Sequence, residues 1–404
     1  MNTSIKTTDR RSRFEACMNH QPGAEPMRDF AGCSLTGYHG RQTLVGIARR
    51  LERNAGVSPA LCDLLAGALE DAESPPPVSG VGAGIGAVGA DDAALLEAVQ
   101  RAFDVDFRGV GGFPRVESPH ARTVSQTEVI DDFGVRRRWT GVYWDIVHAP
   151  LQGASLADLQ NFRFPDPASA DLAQIDAWAR QAKQLREENE YIVVGEHPVY
   201  GVLELGCWMC GFDDFLGRLL FEPEFTDYFF AKYYDFQAAM TEAYYSRMGP
   251  YIDMTTSGDD FGTQNGPFVS PELFREKIRS WHERRIALTR RHTRAYISLH
   301  TCGSVLRLLP DIIGMGVQIL NPVQPDAFEM DFAVLKQQFG NDIVFWGGID
   351  EKHTMTRGTP ADVAAAVRHA SATLGRDGGY ILAPSHNIQH DVPPENVLAM
   401  YGKR

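Results

Sequence analysis

Ala295-Tyr296-Ile297-Ser298-Leu299-His300-Thr301-Cys302-Gly303 decides how the rest of the chain is read. An apolar run too short for a helix of ordinary length breaks off into histidine, threonine, cysteine and glycine. That is the signature of a buried strand that ends at a polar surface. Side chains on an extended segment alternate between faces, so His300 and Cys302 point to the same side. Imidazole and thiolate together suit zinc.

The same construction recurs on both sides of this stretch. Apolar runs at Tyr191 to Val194, Tyr251 to Thr256, Val317 to Leu320, Ile343 to Trp346 and Tyr380 to Ala383 read as strands. Helical segments separate them at Pro223 to Met248, Pro271 to His292, Val305 to Met315, Phe332 to Phe339 and Pro360 to Leu374. Strands alternating with helices imply a parallel sheet, and their even spacing favours an α/β fold of the closed (β/α)8 TIM-barrel type. Each strand is followed by polar residues: Glu196 and His197, then Asp259, Asp260 and Gln264, then His300 and Cys302, then Asn321 and Gln324, then Asp350, then His386. In a parallel barrel these carboxyl ends share one face, where active sites lie. A catalytic zinc takes about three protein ligands and leaves one position open. His300 and Cys302 supply two. His386 is the best third, with Asp259 and Glu196 as alternatives.

The first part of the chain is less regular. Residues 1–150 read as an N-terminal segment with helices and a β-hairpin from Val135 to Val147, packed on a barrel spanning 151–404. Residues 54–91 read as a Gly/Pro-rich insertion with no assigned role. The glycines from Gly80 to Gly89 spell a pattern reminiscent of dinucleotide loops, but no apolar strand precedes them. Cys207 and Cys210 form a CxxC, yet Trp208 and Met209 between them read as helix core, and no second CxxC follows.

Composition narrows the function. The net charge of −13 argues against nucleic acid and anionic membranes as partners. No apolar run is long enough for a membrane span and none follows the basic residues near Met1, so a cytoplasmic location is expected. The six cysteines, in a chain this long, suit a reducing compartment rather than a disulfide framework.

Five ordered motifs then carry a resemblance. Gly258-Asp259-Asp260-Phe261-Gly262-Thr263-Gln264, Leu299 to Gly303, Leu320-Asn321-Pro322-Val323-Gln324-Pro325, Trp346-Gly347-Gly348-Ile349-Asp350 and Tyr380 to Gln389 resemble the uroporphyrinogen decarboxylase-like superfamily. That superfamily includes metal-free decarboxylases and zinc-dependent methyltransferases that act on a corrinoid (cobalamin) carried by a partner protein. The decarboxylase's arginine-rich substrate clamp has no counterpart, because the corresponding stretch reads Phe30-Ala31-Gly32-Cys33-Ser34-Leu35-Thr36-Gly37. The His300/Cys302 pair is similar to the zinc element of the methyltransferase branch. Enzymes of that branch acting on thiols carry a second cysteine after the last strands, where this chain has Ser385-His386. The resemblance therefore implies a methyltransferase with zinc on His300, Cys302 and His386. Asp259 and Asp260 would be catalytic, and Glu196, Gln264, Asn321, Gln324 and Asp350 would bind substrate. The expected partners are a small methyl donor or acceptor and a corrinoid-binding protein; a homodimer is allowed. The rival readings are a metal-free decarboxylase or lyase, and a non-catalytic tetrapyrrole-binding accessory subunit.

Overall fold

The computed structural model describes residues 10–23, 25–30, 41–55, 90–141, 144–188 and 191–403. Eight strands make one parallel sheet: β1 (Met27–Arg28), β2 (Phe107–Gly111), β3 (Ile192–Glu196), β4 (Met254–Thr255), β5 (Tyr296–His300), β6 (Ile319–Val323), β7 (Val344–Ile349) and β8 (Tyr380–Pro384). They are hydrogen-bonded in the order β1-β8-β7-β6-β5-β4-β3-β2. The seam lies between β1 and β2. There the Asp106 N–H donates to the Arg28 carbonyl at 2.9 Å, and the Arg28 N–H donates to Asp106 Oδ2 at 2.8 Å. These bonds bring the open edges together, and the sheet is a (β/α)8 barrel. Every residue of β3, β6, β7 and β8 is buried. Parallel strands covered on both faces read as continuous apolar runs for this reason.

One end of the barrel is sealed. The helix Arg10–Met18 places Phe14, Cys17 and Met18 in a cluster with Phe107, Ile192, Met254, Ile319 and Val344, which lie at or near the strand starts. Phe14 meets Tyr296 edge-on at 5.5 Å and Phe107 at 6.1 Å. Arg13 pairs with Asp106, and Arg11 pairs with Asp253 at 2.9 Å. The carboxyl ends of the strands form the other, polar end.

Two results differ from the sequence reading. β1 and β2 come from the segment before residue 151, so the barrel begins at Met27. The hairpin, Arg136–Trp139 with Trp144–His148, is half of a four-stranded antiparallel sheet that also contains Arg122–Ser125 and Glu128–Ile130. Two expected helices are broken. Pro271 to His292 passes through a π-helical turn at Phe274–Ile278, and Val305 to Met315 is a 3-10 turn followed by the short helix Leu309–Gly314. The Gly80–Gly89 stretch, nearly all of the 54–91 insertion, Ala31 to Gly37 and Cys62 lie outside the described residues. No helix among the described residues is long and apolar enough to cross a membrane.

Candidate active site and metal centre

The site is built on the end of β5. His300 is the last residue of that strand, opposite Asn321 on β6, and it bridges to Gly258 on the other side. The next three residues are fixed in alternation. Thr301 is fully buried; its N–H donates to the Asn321 carbonyl at 2.7 Å, and its hydroxyl accepts from the Phe261 N–H at 2.9 Å. Cys302 turns back to the side of His300. Gly303 has φ +80°, and a Cβ there would lie 2.6 Å from the Thr263 carbonyl oxygen. Only glycine combines that left-handed conformation with so close an approach. The turn is thereby locked against the Asp259-to-Gln264 loop, where the Ser304 N–H donates to the Thr263 carbonyl at 2.8 Å.

Two side chains orient the pair. His300 Nδ1–H donates to Asn321 Oδ1 at 2.7 Å, which leaves the Nε2 lone pair directed away from Asn321. Cys302 Sγ lies 3.4 Å from that Nε2. Asp260 Oδ1 accepts from the Cys302 N–H at 2.9 Å and lies 3.9 Å from His300 Nε2. His386, just past β8, completes the group. One nitrogen of each histidine and the Cys302 sulfur all lie within 4.8 Å of one another, and all three residues are half-buried.

This donor set fits zinc. Tetrahedral zinc with nitrogen at about 2.0–2.1 Å and sulfur at about 2.3 Å spaces adjacent donors by about 3.5 Å. The His300–Cys302 separation matches that spacing, and a His386 nitrogen lies within 4.8 Å of both donors. A metal-bound histidine is ordinarily held by a hydrogen bond through its other nitrogen, as Asn321 holds His300.

The remaining residues singled out in the sequence divide into two groups. Gln324 belongs to the site; its Oε1 accepts from the Gly303 N–H. Glu196 lies buried at the end of β3, where its Oε2 accepts from the Thr256 hydroxyl at 3.2 Å. Its other oxygen lies 2.2 Å from where a Cβ on Gly109 would be, so a larger residue there would push the carboxylate aside.

The other group does different work. Asp259 and Asp260 part company. The fully buried Asp259 carboxylate accepts from the Glu204 N–H at 2.7 Å and the Leu203 N–H at 3.1 Å, and lies 2.8 Å from His282 Nε2. It caps the helix Val202–Cys210. Asp350 likewise accepts from the Lys352, His353 and Thr354 N–H groups and caps the turn that follows β7, where substrate binding was expected. Gln264 is exposed and donates to Asp326 at 2.8 Å, on the rim rather than among the three clustered side chains.

The sequence reading missed Glu204. Burial, together with the Asp260 and Asp259 carboxylates, holds its carboxyl well above the usual range, while His300 pulls the other way. It is the one charged residue in Val-Leu-Glu-Leu-Gly-Cys-Trp-Met-Cys, and a lone carboxylate in so apolar a helix is a legible signal. Burial and the nearby positive charge of Arg285 push His197 well below its usual range, so its ring is neutral. Cys207 and Cys210 are buried helix core. Burial raises both thiols, Cys210 to about 12, so neither is an activated thiolate.

The family model for uroporphyrinogen decarboxylase (URO-D) matches residues 146–403. The chain belongs to the uroporphyrinogen decarboxylase family. A methyltransferase from Methanosarcina mazei is similar to this family member in structure, with a TM-score of 0.54 at 16% identity over 97% of both chains. A GH113 beta-1,4-mannanase is similar at 12% identity and a TM-score of 0.33, over 76% of this chain and 91% of that one. No curated protein matches this family member. The methyltransferase shares its barrel fold along the whole length.

Proposed function

We propose that this member of the uroporphyrinogen decarboxylase family is a zinc-dependent methyltransferase. It moves a methyl group between a small substrate (a methyl ether, methylamine or thiol) and a corrinoid presented by a partner protein over the carboxyl ends of the strands. The observation that carries this reading is the convergence of His300, Cys302 and His386, a thiolate and two imidazoles that suit zinc and leave a fourth position open. Bound there, zinc supplies electrophilic chemistry: it lowers the pKa of a thiol or polarises an ether oxygen or amine nitrogen.

The chain's own residues do the positioning. Asn321 fixes the ring orientation of His300, and Asp260 with Gln324 fixes the Cys302-Gly303 turn by accepting from its two backbone N–H groups. Glu204, whose carboxyl burial and the Asp260 and Asp259 charges hold well above its usual range, is the nearby carboxyl suited to serve as an acid. The methyl group transfers by in-line displacement, so rate comes from alignment of donor and acceptor.

Elemental analysis of the purified protein tests the proposal. One zinc per chain is expected, lost in His300→Ala and in Cys302→Ser. Full activity in a chelator-treated, metal-free protein would overturn it.

A further inference from the structure

The amino end of the barrel carries a cleft of about 640 Å³ beside the starts of β4 and β5. Arg11, Arg186, Arg290, Arg291 and Arg294 stand in its walls. In a chain of net charge −13, so much positive charge in one concavity needs a reason. Two of these arginines are accounted for within the fold. Arg11 and Arg186 share the Asp253 carboxylate at 2.9 and 3.1 Å. The other three come from one short stretch, Arg290-Arg291-His292-Thr293-Arg294, between the helix Arg279–Thr289 and β5. All three are exposed. The Arg291 and Arg294 guanidiniums make no hydrogen bond or ion pair with a described residue. A helix C-terminus favours a cation, which gives Arg290 and Arg291 a place without any ligand, but Arg294 lies beyond it. Against the three the lining offers one further carboxylate, Glu15.

The stretch that carries them is fixed. The buried Thr293 hydroxyl donates to the Gly249 carbonyl at 2.8 Å and accepts from the Ala295 N–H at 3.0 Å. Arg290 donates to the Gly316 carbonyl at 3.2 Å and to Gln318 Oε1 at 3.0 Å, both through Nη2, so Nε and Nη1 are left for an outside acceptor. Cations mounted on a rigid loop lose little freedom when they bind.

We propose that this cleft binds a small organic polyphosphate, with Arg290, Arg291 and Arg294 on its phosphate groups. Guanidinium forks match phosphate oxygens, and several cations in one concavity select an anion of more than one charge. The volume falls among those of small-molecule sites, roughly 300–1,000 Å³. Phe14 and the half-buried Tyr296, edge-on to one another, give an aromatic wall for the organic part. Tyr296 opens β5 and His300 ends it, so about 13 Å of strand separates the cleft from the His300/Cys302/His386 group. A ligand here takes no part in methyl transfer, and the inference does not depend on that reading.

Isothermal titration calorimetry on the full chain at pH 7 and fixed ionic strength tests it, with tripolyphosphate, adenosine triphosphate, orthophosphate and acetate as probes. One tripolyphosphate per chain should bind, at least about tenfold more tightly than orthophosphate, and acetate should give no saturable heat. Adenosine triphosphate should bind at least as tightly as tripolyphosphate; markedly weaker binding overturns the organic part of the proposal. Arg291→Gln and Arg294→Gln, at exposed positions that do not endanger folding, should each weaken tripolyphosphate by about tenfold, the range for loss of a charged hydrogen bond. Glu15→Gln should tighten it. Arg307→Gln removes the same charge past the other end of β5 and should leave the affinity unchanged. Polyphosphates also take up metal ions, so the titration is repeated on Cys302→Ser, which should bind as tightly as the parent. Equal affinity for all four probes, or an unchanged affinity in both Arg291→Gln and Arg294→Gln, overturns the site. Binding lost in Cys302→Ser places the phosphates at the other end of the barrel and overturns it as well.

Discussion

Replacing Asn321 with alanine tests how the His300 ring is held. Asn321 is 2% exposed, and its Oδ1 accepts from His300 Nδ1–H at 2.7 Å. The hydrogen bond is worth about 1 kcal/mol net. Without it the imidazole regains torsional freedom that metal binding must remove, about another 1 kcal/mol. The sum of about 2 kcal/mol corresponds to roughly 30-fold weaker zinc binding, inside the 10- to 100-fold range of outer ligand partners. A competition titration against a chromophoric chelator at pH 7 measures this directly. Asn321→Asp keeps an acceptor in place and should hold zinc at least as tightly as the parent. An alanine variant within threefold of the parent would refute the reasoning. So would an aspartate variant as weak as alanine, because the acceptor would then not be what matters.

Gly303→Ala should lower stability by about 1–3 kcal/mol and reduce zinc content, because φ is +80° and the added Cβ would meet the Thr263 carbonyl. Gly23→Ala, at the same φ with nothing within 4 Å, should cost less and leave the metal untouched; urea denaturation and metal analysis compare the two. Asp132→Asn should stabilise the protein at alkaline pH. Burial and the neighbouring Asp131 raise the Asp132 carboxyl from 3.8 to about 7, so its neutral form is the one the fold favours. The contribution of Asp132 is therefore fully present below about pH 4 and lost as pH rises through 7. At pH 8 the ionised carboxylate costs up to about 4 kcal/mol. Denaturation at pH 8 should show the variant ahead, with the gap shrinking toward pH 5; a gap independent of pH would contradict this.

The barrel was legible where its physics writes itself into composition. β3 to β8 are buried on both faces or nearly so, and each appears as a short apolar run with polar punctuation. β1 has two residues, and β2 reads Phe107-Arg108-Gly109-Val110-Gly111. The second offers no apolar run. Arg108 is buried all the same, paired with Glu97 at 2.7 Å and packed over the Tyr191 ring. Arg122–Ser125 is exposed at every position, so no alternation marks it as a strand.

The site was legible in part. The i, i+2 spacing of His300 and Cys302 and the strand-end position of His386 are properties of local geometry, and local geometry is what a sequence displays. Asp259 and Asp350 look the same in sequence as catalytic acids, because a strand-end carboxylate can either face the cavity or cap the next helix. Backbone direction after the strand decides between these, and no residue type encodes it. Glu204 reaches the site from a helix, so a census of the first residue after each strand passes over it.

The central claim is tested most directly by the visible spectrum of cobalamin in the presence of this protein. Zinc-loaded protein is mixed with methylcobalamin and a panel of acceptors, and with reduced cobalamin and a panel of methyl donors. The account predicts gain or loss of the cobalt–methyl absorbance in one of these regimes, abolished by chelation and by Cys302→Ser. Transfer at an unchanged rate in metal-free protein would contradict it, as would the absence of transfer in both regimes with zinc bound.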